Sequence, residues 1–176
     1  MHVLQWIAVE AEDVENAVGI VDSNLESYMS GNDSPSTWYD WYVVGGGRWN
    51  IGEDEDWKSG YDTKTNMVIS FVDDPNAFRA KIQECLQTRI DEYERYLAEV
   101  KESNVMEKLE NYGGVMSYSP SFYALNALLR YQMGDWSHDT WFFDMVHDST
   151  NAGHILADMD SDSSKNFFLV PVDFHF

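Results

Sequence analysis

HVLQWIAVE, residues 2–10, is the stretch whose reading decides the fold. Side chains alternate across a strand, so Val3, Ile7 and Val9 fall on one face and Leu4, Trp6 and Ala8 on the other. Both rows are apolar, the pattern of a strand covered on two sides rather than one bordering water. The segment predicts a central strand.

Working outward, Asp13 is placed to cap a helix in which Val14, Ala17, Val18, Val21, Leu25 and Tyr28 recur at helical spacing. SGNDSPS, residues 30–36, reads as a loop, and Trp41 to Val44 as a second strand running into glycines. IGEDEDWKSGYDTKT is a polar acidic loop, and NMVISFV a further strand. Asp74-Pro75 starts a long amphipathic helix running to about Ser103. Its apolar stripe runs through Phe78, Ile82, Cys85 and Ile90 to Val100. Val105, Met106 and Leu109 suggest a short helical piece, and Ser119-Pro120 opens a strongly apolar helix ending at Gly134. The remainder reads as three strands, TWFFDMVHD, HILADMD and NFFLVPVDFHF, with STNAG as a hairpin loop between the first two.

This order predicts an α+β fold, a mainly antiparallel sheet with helices packed on it and a ferredoxin-like arrangement in the first half. With 176 residues, 44% hydrophobic and 15% aromatic, the chain fits a single domain over 1–176. No stretch approaches the roughly 18 apolar residues of a membrane span. The start lacks the basic region of a signal peptide, which predicts a cytoplasmic protein. Cys85, the only cysteine, falls on a helical apolar stripe and is expected in the core.

Charge narrows the partners. Lys and Arg number 11 against 31 Asp and Glu, a net −20 spread along the chain without an acidic tail. Such a field repels nucleic acid and anionic lipid and attracts basic surfaces. The expected partner is a basic protein, itself nucleic-acid-binding, with no direct nucleic acid and no membrane.

WYDWYVVGGGRWN, residues 38–50, is the most unusual composition in the chain. Gly45-Gly46-Gly47 follows a strand but has neither the spacing of a dinucleotide fingerprint nor a P-loop's Gly-Lys-Ser/Thr. Glycines there admit positive φ and a bulge, and Trp41 and Trp49 supply large area. Arg48 is placed to stack on an indole or to pair with a carboxylate of the neighbouring acidic loop. Trp41, Gly45, Gly46, Gly47, Arg48, Trp49 and the loop Glu53, Asp54, Glu55 and Asp56 are therefore the candidate ligand- or partner-binding residues.

The segments HVLQWIAVEAED and DWYVVGGGRW resemble those of small uncharacterised proteins, many of them encoded by bacteriophages. The likeness covers the segment 1–50 and the final VPVDFHF. It implies a viral origin and carries no chemistry to transfer.

Elsewhere the signals for chemistry are weak. His147, Asp148 and His154 would meet at the mouth of an STNAG hairpin, and two imidazoles with a carboxylate are ligands for zinc. They lack HExxH or any paired motif, so no metal and no cofactor is assigned. Asp158, Asp160 and Asp162 alternate like calcium ligands but lack an EF-hand's glycine and distal glutamate. No Gly-x-Ser-x-Gly elbow is present, and catalytic residues are not assigned.

Two functional readings follow. In the first, an acidic phage-encoded protein binds a basic host protein, in its sharp form imitating DNA to inhibit a nucleic-acid-binding defence factor. Glu84, Asp91, Glu92, Glu94, Glu99 and Glu102 of the long helix would join the loop carboxylates, although Arg79, Lys81, Arg89, Arg95 and Lys101 share that helix. In the second, a small enzyme or anionic-ligand-binding protein uses a pocket around the GGGRW segment, with Arg48 as clamp. They differ on whether Arg48 and histidines converge on one concavity.

Overall fold

The computed structural model describes residues 1–30, 38–102, 120–162 and 164–176. β1 (His2–Glu10) and β5 (Phe167–His175) pair antiparallel along their whole length at the centre of a mixed sheet. β2 (Trp41–Val44) and the very short β3 (Ile69–Ser70) both lie antiparallel on the outer edge of β5. β4 (Phe142–Asp144) runs parallel to β1 on the opposite edge, giving the order β2-β5-β1-β4. Among the described residues all the strand pairings but that of β4 are antiparallel, the α+β architecture that the order of elements predicted.

The two faces are covered as β1 foretold. Val3, Ile7 and Val9, with Phe168, Val170, Val172 and Phe174 of β5, pack under α1 (Val14–Ser30) through Ala17, Val18, Val21 and Leu25. Asp13 Oδ1 accepts the Asn16 N–H at 2.8 Å, the expected cap. On the other face Trp6, Ala8, Phe167 and Leu169 meet Phe78, Ile82 and Cys85 of α2 (Pro75–Glu102). Asp74 caps that helix by accepting the Ala77 N–H at 2.8 Å. Burial pushes the Cys85 thiol up to about 12, so it is a core group rather than a reactive one. The far half of α2 leaves the sheet and packs through Tyr96 on Ala124 and Ala127 of α3 (Pro120–Met133), which is followed by Gly134 at positive φ.

Topology departs from the expected hairpin. β1, α1 and β2 form a split β-α-β unit, as in a ferredoxin-like arrangement, but the strand between β1 and β2 is the C-terminal β5. HILADMD is not a strand, and STNAG closes no hairpin. Residues Gly153–Ser161 form α4, whose Ile155 and Met159, one helical turn apart, are both buried against the α2 face. Asn151 Oδ1 takes the Gly153 N–H at 2.8 Å and turns the chain into this helix. The strand expected in NMVISFV shrinks to β3. The loop over 30–36 and the helical piece at Val105, Met106 and Leu109 lie outside the described residues, apart from Ser30, which ends α1.

One sequence oddity builds the functional region. Pro171 sits within central β5, where a missing N–H usually costs a ladder bond. The opposing Trp6 turns its N–H away, towards Trp141 O, so the Pro171 position faces the edge between β2 and β3. There its carbonyl accepts the Gly45 N–H at 2.7 Å. The chain leaves the sheet at this gap, and residues 45–66 fold over the α2 face at the Asp173 end of β5.

Candidate functional site

The glycine run makes this fold-over possible. Gly45, Gly46 and Gly47 all have positive φ, at 94°, 98° and 50°, a backbone that side-chain-bearing residues rarely adopt. Space is equally restrictive. A Cβ on Gly45 would lie 2.0 Å from Lys64 O, and one on Gly47 would lie 2.5 Å from the Asp173 Cβ. The turn thus delivers the backbone onto a carboxylate of the chain itself. Asp173 Oδ2 accepts the Arg48 N–H at 3.1 Å, so the anion held by this turn is internal rather than a bound phosphate.

Asp173 is 1% exposed and gathers two further groups. Its Oδ1 is hydrogen-bonded to His2 Nδ1 at 2.8 Å, and the Arg48 Nε lies 3.9 Å from Oδ2. Arg48 therefore pairs with β5 and not with the acidic loop. Its Cζ stands 5.9 Å from the Trp49 ring centre, at the outer limit of a cation–π contact. The Arg48 side chain is 53% exposed.

Two 3-10 turns, Gly47–Asn50 and Trp57–Tyr61, form the rim. Lys64 ties them together, donating to Asn50 O at 2.7 Å and pairing with Glu55 at 2.5 Å. Glu55 also accepts from Ser59 Oγ and the Gly52 N–H. The Lys64 contact, with these two, holds its carboxyl down at about 2. Asp56 caps the second turn through the Lys58 N–H. Glu55 and Asp56 are thus loop fasteners, whereas Glu53 and Asp54 are exposed with no hydrogen bond or ion pair among the described residues.

Between these turns and the sheet lies a cleft of about 240 Å³, lined by His2, Trp41, Arg48, Ile51, Trp57, Gly60, Tyr61 and Asp173. Trp41 has the His175 ring stacked on it at 5.2 Å and the Tyr61 ring tilted against it at 5.8 Å. Asp40 accepts from His175 Nδ1 at 2.5 Å, and that contact holds the Asp40 carboxyl below the usual range. Trp57 and Tyr61 meet edge to face and remain 64% and 58% exposed. Chemically, the cleft offers a guanidinium, an imidazole fixed by a buried carboxylate, and aromatic walls. The His2 Nε2 is the ring nitrogen that Asp173 leaves unengaged.

The other candidates lie apart. His147 and His154 do approach, with ring centres 5.4 Å apart, although no hairpin brings them together. His147 lies between Asp144, at 2.8 Å from Nδ1, and Asp158, at 3.7 Å from Nε2, while Asp148 occupies a left-handed turn position. Among the described residues no group of three or more His, Cys, Asp or Glu side chains is placed to hold a metal. Asp158, Asp160 and Asp162 separate into roles at α4: Asp160 pairs with Arg79, Asp158 with Lys165, and Asp162 holds Ser164. On α2, Lys81–Glu84 and Arg95–Glu92 pair as expected, but Arg89 donates to Thr150 O.

Sequence reasoning misses His2 and sees Asp173 only as one of many C-terminal carboxylates. The one signal that could have marked Asp173 is its place inside the otherwise apolar strand NFFLVPVDFHF. No helix among the described residues is long and apolar enough to cross a membrane. No protein-family model, no curated protein and no solved structure matches the chain.

Proposed function

We propose that the protein binds a small anionic ligand in the cleft beside the glycine turn. The observation that carries this is the convergence of Arg48 and His2 on opposite oxygens of buried Asp173, at a cleft with aromatic walls. Asp173 orients the guanidinium and the imidazole and is itself too enclosed to be the ligand partner. The half-exposed guanidinium is then the group that meets an incoming anion. Titration with inorganic phosphate and with acetate, followed by NMR, should shift the Arg48 and Trp57 signals in the intact protein. Arg48→Ala should abolish the Trp57 shifts while leaving the melting temperature nearly unchanged. Shifts that survive the substitution would refute the reading.

A second reading rests on a different observation. Trp49, Trp57 and Tyr61 are exposed on the two 3-10 turns, and Glu53 and Asp54 are exposed in the segment that links those turns; aromatic side chains with arginine are the usual anchors of protein interfaces. With a net charge of −20, this surface would suit a basic partner, a nucleic-acid-binding host protein, met as DNA would be met. Capture of such a protein should weaken steeply with salt and with Glu53→Lys/Asp54→Lys, because these two carboxylates are free of structural duty. Salt-independent capture would count against it.

A further inference from the structure

We propose that the anion taken by this cleft is the phosphate of a mononucleotide, with the base stacked on Trp57; the inference rests on the anion-binding reading and names its ligand class. At the anion end, Arg48 directs its Nε towards Asp173 and keeps its two terminal nitrogens for a ligand. His2 spends Nδ1 on the same carboxylate, so Nε2 is the ring nitrogen left over. The guanidinium and the imidazole sit on either side of one carboxylate. A planar carboxylate ligand is satisfied by the guanidinium alone, whereas the three oxygens of a phosphate engage both groups.

At the other end the walls differ in availability. Trp41 already packs against the His175, Tyr61 and His2 rings, so it closes the cleft rather than receiving a ring. Trp57, 64% exposed, stands at the mouth edge to face with Tyr61, the ring centres 5.8 Å apart and the planes at 76°. Exposed aromatic faces beside a phosphate donor are what nucleobase stacking requires, and such stacking tolerates any base.

Size and charge restrict the ligand further. Sites that enclose drug-sized molecules start at roughly 300 Å³. The cleft, at about 240 Å³, is smaller and holds one phosphate with its base at the rim. A net charge of −20 disfavours a polynucleotide, whose many phosphates the body repels. One arginine matches one phosphate.

The test is calorimetric titration of the intact protein with AMP, UMP, adenosine, ribose 5-phosphate and inorganic phosphate, with tryptophan fluorescence as a second readout. Both nucleotides should bind and quench, and adenosine and inorganic phosphate should each bind at least about tenfold more weakly, within the roughly five- to 150-fold span of base stacking. Trp57→Ala, a change at an exposed site, should reduce AMP to the level of ribose 5-phosphate and leave inorganic phosphate unaffected. Arg48→Ala should reduce AMP to the level of adenosine. Inorganic phosphate binding as tightly as AMP would overturn the nucleotide assignment while leaving the anion site standing. Absence of binding by every phosphate would overturn both.

Discussion

Asp173 places a negative charge on a strand flanked by phenylalanine and valine, and it keeps that position because donors surround it. The Arg48 N–H and the His2 imidazole occupy its two oxygens, and the absent side chain of Gly47 gives it room. Asp173→Asn leaves one of those donors facing an amide nitrogen, and should cost about 1–3 kcal/mol in chemical denaturation. Gly47→Val adds both a clash and a strained φ, and should cost at least as much, roughly 1–3 kcal/mol or more. Wild-type stability in both variants would show that the turn is not anchored on this carboxylate. The stacked arginine expected from GGGRW is present only at its outer limit. Arg48→Ala should therefore change stability by less than about 1 kcal/mol, as exposed charges do. Arg48 and Trp49 are legible in the sequence because the glycines beside them announce an unusual backbone. The pairing of His2 with Asp173 is not, because the two stand at opposite ends of the chain and only strand pairing joins them.

At the scale of elements, α2 is divided by what it touches. Phe78, Ile82 and Cys85 rest on the sheet, while the described apolar contacts of its last turns are with α3. Local opening follows local burial. Amide hydrogen exchange should find residues 78–86 protected nearly to the limit of global unfolding and residues 92–102 exchanging faster, through opening of the α2–α3 pair. Equal protection along the helix would contradict this division. The helices with caps are readable: Asp13 and Asp74 each mark a start that the structure keeps. HILADMD misleads because a short mixed run satisfies either period. Burial of Ile155 and Met159 on one helix face decides it.

For the whole molecule, a net charge of −20 on 176 residues makes self-repulsion a term in stability. The cation-bearing ion pairs are mostly exposed and contribute little individually. Added salt should then raise the melting temperature, because it screens repulsion more than it loses in surface pairs. A melting temperature that falls with salt would mean that the ion pairs dominate. Glu55 qualifies the picture of a uniformly free acidic surface, since Lys64 and the loop backbone already hold it.

The amino-acid sequence by itself determined the class of fold, the central place of β1, the capped helices and the inward thiol, because periodicity and capping act between residues close in the chain. It also marked the glycine turn as special. Only the tertiary structure decided that β5 lies between β1 and β2, that Pro171 opens the edge from which residues 45–66 emerge, and that His2, Arg48 and Asp173 share one cleft. Those relations join distant parts of the chain. They are set by which strand edges pair and which apolar faces bury each other, quantities that no local pattern encodes.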